Sequence, residues 1–408
     1  MQITPILLAL RKNKTGAILI ALQIALTMAI ISNLVLVIHE RISVTRRSTG
    51  VDESNVFTFG YRLVNGQVKP SDIQSDLAAI RSIPGVVDVF PSNRVPLQGG
   101  GWSEGVNLVP GIISASQDRA LAAVYGADDH ALPTLGLKLD EGRNFQSVEV
   151  IDGEFGSAPF PHVAIVSRTL AKTLFGNTPV LGKSVFLSTD NQNAITIVGV
   201  VDKLQTPGAA DSSDDDKGEM SIILPMHNKG VGGMYVVRTQ LGQLDTVKAT
   251  IESALAKLNS QRVFKKPRTL TEIRAEAYSN ASSMATLLSS IGIVLLAITG
   301  FGVVGLTSNW VSARRRYIGV RRALGATRGS ILRYFLIENF LITASGIVAG
   351  AALGLELNAY LVRSYGASAL GIPDLLGGSL VLLVLTQLAA MTPSLRASKV
   401  PPAVALRS

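Results

Sequence analysis

The 408-residue sequence contains no cysteine, which excludes disulfides and cysteine-ligated metals. Its four histidines, His39, His130, His162 and His227, stand far apart and offer no zinc-binding spacing, so surface or capping roles fit them better than ligation. Charge is scarce too. Asp, Glu, Lys and Arg make up 16% of the chain, against roughly 25% in ordinary soluble domains. With 47% hydrophobic residues and a positive mean hydropathy, the chain reads as a membrane protein.

The formal charge of +9 could point to nucleic acid, but its distribution argues otherwise. Residues 40–279 carry 24 Lys and Arg against 26 Asp and Glu, a net of −2, while the remainder carries 14 basic residues against three acids. The excess therefore lies in short segments beside apolar runs, as the positive-inside rule requires. A nucleic-acid binder would instead carry a basic patch on a folded domain.

Residues 17–38 contain no charge. A run of about 22 residues is long enough to cross a hydrocarbon core of roughly 30 Å. It is too long for a signal-peptide core and ends in Val37-Ile38-His39-Glu40-Arg41 rather than small residues, so an uncleaved span is expected. Three further spans are expected at 284–310, 331–361 and 375–391. The loop between the second and third carries seven arginines (314, 315, 316, 321, 322, 328 and 333) and no acid. Placing it with both termini in the cytoplasm gives four crossings, with residues 40–280 outside.

The outer segment reads as α+β. Strands are expected at 55–62, 86–90, 163–166, 184–187, 195–201, 220–224 and 234–239, and helices at 71–82, 167–175 and 244–258. Residues 207–218, with Asp211, Asp214, Asp215 and Asp216, read as an acidic loop whose spacing does not match a calcium site. The composition of 271–285 predicts a helix that runs unbroken into the second span, and 40–47 extends the first, which together would form a stalk.

The one motif resembling a nucleotide site, Gly176 through Gly182-Lys183-Ser184, has its first glycine one residue too early and follows a helix instead of a strand. Neither a catalytic triad nor a carboxylate pair can be argued from spacing, so the chain is expected to be non-catalytic with no directly bound cofactor. Glu338 lies within two turns of the arginine loop and Glu356 about 27 Å further along an ideal helix. Interfacial anchoring or pairing with arginine, and a proton relay, are open to them. Gly346, Gly350 and Gly354 repeat every fourth residue, the spacing of a close helix-packing face. The loop itself alternates arginines with Ile318, Val320 and Leu324 at helical spacing and has Gly325 where a short helix could end, a pattern for docking a cytoplasmic protein.

The run 315–338, RRYIGVRRALGATRGSILRYFLIE, closely resembles the signature of FtsX-like permeases, best known from MacB-type exporters. The tail PSLRASKVPPAVALR (393–407) is similar to that family's ending, and 163–183 with Ile197-Val198-Gly199-Val200 to its periplasmic core domain. The resemblance implies the permease half of an ABC transporter of a bacterial inner membrane. A cytoplasmic ATPase would hydrolyse ATP, and movement of the stalks and outer domains would drive export or envelope maintenance. The docking residues it implies are Ile318, Gly319, Arg321, Arg322, Ala323, Leu324, Gly325 and Ala326, with Tyr317 standing where an acid is common. Because the chain starts close to its first span, the ATPase is expected as a separate polypeptide. A second permease (a like copy or a relative), the lipid bilayer and a periplasmic adaptor are further partners it implies, and nucleic acid is not among them. Lipoprotein extraction, or control of an envelope hydrolase, is the alternative. The segments expected are 1–47 (cytoplasmic start, first span and extension), 48–270 (α+β core with an insertion near 116–218), 271–310 (stalk and second span), 311–333 (coupling loop), 334–392 (third and fourth spans) and 393–408 (tail).

Overall fold

The computed structural model describes residues 14–111, 119–154, 159–188, 190–211, 216–228, 232–365 and 368–399. The chain divides into two units, one of residues 1–43 and 281–408 and one of 44–280.

The first unit is helical. Four helices among the described residues are long and apolar enough to cross a membrane: α1 (Lys14–Thr45), α7 (Ser279–Ala313), α9 (Arg328–Tyr365) and α10 (Ile372–Ser398). Helical backbone satisfies its own polar groups, which hydrocarbon demands. Ile20 and Ile24 of α1, Val303 of α7, Ile342 of α9 and Ala390 of α10 form a shared buried cluster, so all four helices meet. In α9, Gly346, Gly350 and Gly354 face α1. A Cβ on Gly350 would lie 2.4 Å from the Ala25 carbonyl oxygen, and one on Gly346 2.8 Å from that of Ala21, so only glycine permits this approach. Short polar contacts add to the packing: Thr27 Oγ1 lies 2.8 Å from Thr299 Oγ1, and Asn33 Nδ2 donates to Gly354 O at 3.1 Å.

The second unit contains two sheets. The first is antiparallel, with strands β1 (Val56–Leu63), β2 (Val86–Pro91), β11 (Gly232–Thr239) and β12 (Arg262–Thr269) in the order β12-β1-β11-β2. Helix α2 (Pro70–Arg81) joins β1 to β2, and α5 (Leu244–Ala256) joins β11 to β12. This is the split βαβ arrangement. One face of the sheet buries Phe57, Phe59, Tyr61, Tyr235 and Val237 against Ile73, Leu77 and Ile80 of α2 and Val247, Ile251 and Leu255 of α5.

Between β2 and β11 the chain builds the second sheet from β3 (Trp102–Asn107), β4 (Arg119–Ala127), β6 (Ile151–Gly153), β7 (Val163–Ser167), β8 (Ser184–Leu187), β9 (Asp190–Val201) and β10 (Ser221–Asn228), with β5 (Leu139–Gly142) beside β9. Strand β4 pairs with both β3 and β10, so β4-β3-β8-β9-β7-β10 closes on itself. Closure leaves those six strands no free edge. Val106, Val124, Val166, Val185, Ile195, Ile197 and Ile222 fill the interior, with Leu170 of α4 (Arg168–Phe175). The remaining short helix of this unit, α3 (Ala131–Leu135), adds Ala131, Leu132 and Leu135 to the cluster around Phe90 and Val236. The second sheet thus extends from Trp102 to Asn228, wider at both ends than 116–218.

The stalk also departs from expectation. Helix α6 (Leu270–Ala277) stops at Tyr278 (φ −95°, ψ 7°) before α7 starts, so 271–285 is two helices rather than one. Arg274 of α6 donates to the carbonyls of Thr45 and Arg47 and to Glu53 Oε1 at 2.6 Å. Within this unit, the residues that follow α1 are therefore tied to the helix that precedes α7. The acidic stretch 212–215 lies outside the described residues.

Two buried electrostatic clusters hold the second unit. Asp76, with no exposed surface, accepts from Tyr61 Oη (2.8 Å), Tyr235 Oη (2.7 Å) and Arg262 Nη1 (2.6 Å), and the Arg262 guanidinium stacks over the Tyr61 ring at 4.4 Å. Burial, with Asp76 alongside, pushes both phenols above their ordinary range, so they remain donors. Asp76→Ala strands Arg262 in the interior and should cost about 3–5 kcal/mol in denaturant unfolding of the full chain. A loss below about 1 kcal/mol would contradict this role.

The second cluster places buried His227 of β10 between Asp152 (3.2 Å from Nδ1) and Asp128 (3.7 Å from Nε2). Burial alone would push the imidazole down, but the two carboxylates outweigh it and raise it above its ordinary 6.5. A raised folded-state value stabilises the fold fully below pH about 6.5 and loses that contribution as pH climbs through the folded value. The Tm difference between the native protein and His227→Gln should therefore shrink as pH rises from 6 upward. A difference constant from pH 5 to 9 would show that the imidazole does not titrate with folding.

Candidate functional site

The arginine loop folds as a short helix, α8 (Arg315–Ala323). Cations crowd its N-terminal end and no acid occupies its first turn, an arrangement the helix dipole disfavours. Its formation must therefore come from packing. Ile318, 2% exposed, packs with Val311 of α7, Ile331, Tyr334 and Phe335 of α9 and Ala397 of α10. The helix closes through Gly325 at φ +95°, where Gly325 N donates to Arg322 O (3.1 Å) and Ala326 N to Arg321 O (3.0 Å). That double bond is the Schellman stop, which needs a residue tolerant of the left-handed region.

The N-terminal end is fixed by a buried ion pair. Arg314 Nη1 lies 2.8 Å from Glu338 Oε1 and 3.1 Å from Oε2, and its guanidinium covers the Trp310 ring at 4.7 Å. Glu338 is 2% exposed and Arg314 10%. Of the two roles open to Glu338, the geometry shows the pairing. Arg321 stacks between Tyr317 and Tyr334, with 4.9 and 5.0 Å to the ring centroids.

The expected docking positions thus separate into two sets. Ile318 and Gly319 are buried, and Arg321, Arg322 and Ala326 are half-buried. Ala323, Leu324 and Gly325 are exposed, Leu324 at 82%. Ile318 packs against the helices of its own chain and Gly319 is buried, so the exposed surface of the helix lies at the other positions. The outward face adds Tyr317 and Val320, whose apolar surface is open. The sequence offered Glu338 an arginine partner but did not single out Arg314, 24 residues away; Trp310, one helical turn before that arginine, was the available signal.

At Gly176–Ser184 the structure shows a helix end leading into β8, and Lys183 Nζ donates to Thr178 Oγ1 at 2.7 Å while lying over the Phe175 ring. The lysine is occupied in a local turn and not held out for a phosphate. Among the described residues no group of three or more His, Asp or Glu is placed to hold a metal. Glu356 is exposed on α9.

Four candidate spans with a β-rich domain inserted between the first and second give the architecture of a multi-pass membrane protein. Residues 17–261 match the MacB-like periplasmic core domain and residues 289–402 the FtsX-like permease C-terminal domain, so the chain belongs to the MacB/FtsX-like family of ABC transporter permeases. Among its relatives, an uncharacterized ABC transporter permease YknZ of Bacillus subtilis is 27% identical over 359 residues, covering 84% of this chain and 81% of that one. The macrolide export ATP-binding/permease protein MacB of Aggregatibacter actinomycetemcomitans is 29% identical over 246 residues, or 59% of this chain and 36% of that one. The pyoverdine export ATP-binding/permease protein PvdT of Pseudomonas syringae pv. tomato is 25% identical, covering 82% of this chain and 48% of that one. The chain thus matches most of the first relative but only about a third of MacB. Its superposition on the extracellular domain of YknZ has a TM-score of 0.35 at 16% identity and covers 53% of this chain.

Removing Arg314 would leave Glu338 buried and unpaired. Arg314→Ala should cost about 3–5 kcal/mol, with much of it recovered in Arg314→Ala/Glu338→Gln. Unfolding midpoints in detergent measure both, and additive losses would rule out direct coupling.

Proposed function

We propose that the chain is the permease subunit of a mechanotransmission ABC transporter, with α8 as the surface on which a separate cytoplasmic ATPase docks. The observation that carries this reading is the division of α8 into a clamped inner face and an open apolar outer face. Ile318 and the Arg314–Glu338 pair fix the helix to α7, α9 and α10, so force on Tyr317, Val320 or Leu324 would reach three spans at once. Tyr317, Val320 and Leu324, spaced at three and four residues, leave apolar surface open together on one helix face, and exposed apolar patches of this kind mark interaction sites. The charge distribution supports placing α8 and both termini in the cytoplasm of the inner membrane, with residues 40–280 outside. The chain itself is non-catalytic and binds no cofactor directly; ATP is used by the partner.

Arg274 would complete the relay by tying the end of α1 to α6 at the root of the outer domain. The names of MacB and PvdT speak of export of macrolide and pyoverdine, which favours export as the output. The transporter would assemble from two permeases, alike or related, with a periplasmic adaptor for export across an outer envelope. Gly346, Gly350 and Gly354 serve packing within one subunit.

Leu324→Asp should abolish co-purification of the ATPase while leaving the outer domain folded. Leu324 is so exposed that its replacement costs almost no folding energy. ATPase recovered at native levels would defeat the docking assignment.

A further inference from the structure

We infer that the groove beside strands β1, β11 and β12 of the first sheet binds an anionic ligand that also carries an apolar part. The groove encloses about 570 Å³ and lies wholly within the outer domain. That volume falls in the range of about 300–1,000 Å³ common for small-molecule sites.

Its lining is chemically one-sided. Arg62, Arg94, Lys265, Lys266 and Arg268 contribute to it and no carboxylate does. Arg268 is matched by Glu276 and Lys266 lies in the field of Glu272, but Arg62, Arg94 and Lys265 form no ion pair among the described residues. Residues 40–279 as a whole carry a net −2, so five cations around one cavity are not the overflow of a basic domain. Cations gathered at a concave, low-dielectric surface reinforce one another's field and draw in anions.

Glycines of β1 and β11 also line the groove. Three glycine-containing pairs stand side by side in the β1–β11 ladder: Gly60 opposite Met234, Tyr61 opposite Gly233 and Arg62 opposite Gly232. Glycine in a strand marks places where another backbone approaches closely, and here that backbone is the paired strand's own. A Cβ on Gly232 would lie 2.1 Å from the Tyr61 carbonyl oxygen, and one on Gly60 3.0 Å from that of Gly233. The half-buried Met234 adds adaptable apolar surface. A merely solvated basic face would need no such cavity. Anion binding here does not depend on whether an ATPase docks on α8.

The test uses the full chain in nanodiscs of neutral phosphatidylcholine, titrated calorimetrically with octyl phosphate and, as the uncharged counterpart, octyl glucoside. Octyl phosphate should bind saturably and octyl glucoside should not. Arg62→Gln/Lys265→Gln should weaken binding by at least about tenfold, as expected when charge-assisted hydrogen bonds are lost. Both side chains are exposed, and an unchanged unfolding midpoint will show that the variant is folded. Repeating the titration in phosphatidylglycerol discs separates the sources: lost probe binding identifies a lipid headgroup, and retained binding a soluble anion. Equal affinity in the native protein and the variant, or no saturable binding, would overturn the inference.

Discussion

An ionised side chain cannot remain in a low-dielectric interior without a partner, and this one constraint governs the architecture. It expels the arginines from the spans into the loop between the second and third. It draws the one carboxylate retained near that loop, Glu338, onto Arg314, which fixes α8 at its starting residue. Inside the second unit the same requirement brings Asp76 together with Arg262 and two tyrosines, joining α2 to three strands of the first sheet. Ion pairs of this kind add little net stability over an apolar replacement, but they penalise every arrangement that separates the partners. They specify register rather than supply energy.

The spans were readable because bilayer thickness imposes one length on every apolar run, and the structure extends each of them by a few residues as helix. Strands with alternating β-branched residues, such as β7 and β11, were readable for a similar reason. Others were not. Strand β12 reads RVFKKPRT, four of whose eight residues are basic, and only its pairing with β1 makes it a strand. Strand β4 contains ALAAVYGA, whose alanines favour helix until β3 and β10 bind it on both sides. Tertiary pairing overrode local propensity in both.

The candidate site was half legible. A helix ending at Gly325 followed from spacing and the left-handed stop it provides. Which face turns inward did not, because Ile318 and Leu324 are equivalent as apolar letters. Only the position of α9 and α10 buries one and leaves the other open. The break at Tyr278 was equally silent in sequence, since no glycine or proline marks it. Arg274, which donates to two backbone carbonyls and stacks near the Tyr278 ring, shows what the break accommodates.

The native absence of cysteine makes orientation directly measurable. Ser330, exposed at the start of α9, can be replaced by cysteine as the sole thiol and exposed in intact cells to a maleimide that does not cross the inner membrane. No labelling until the membrane is permeabilised is the expected result, because α8 and its arginines then face the compartment that holds ATP. Labelling in intact cells would place α8 on the wrong side for any ATPase and contradict the transport mechanism.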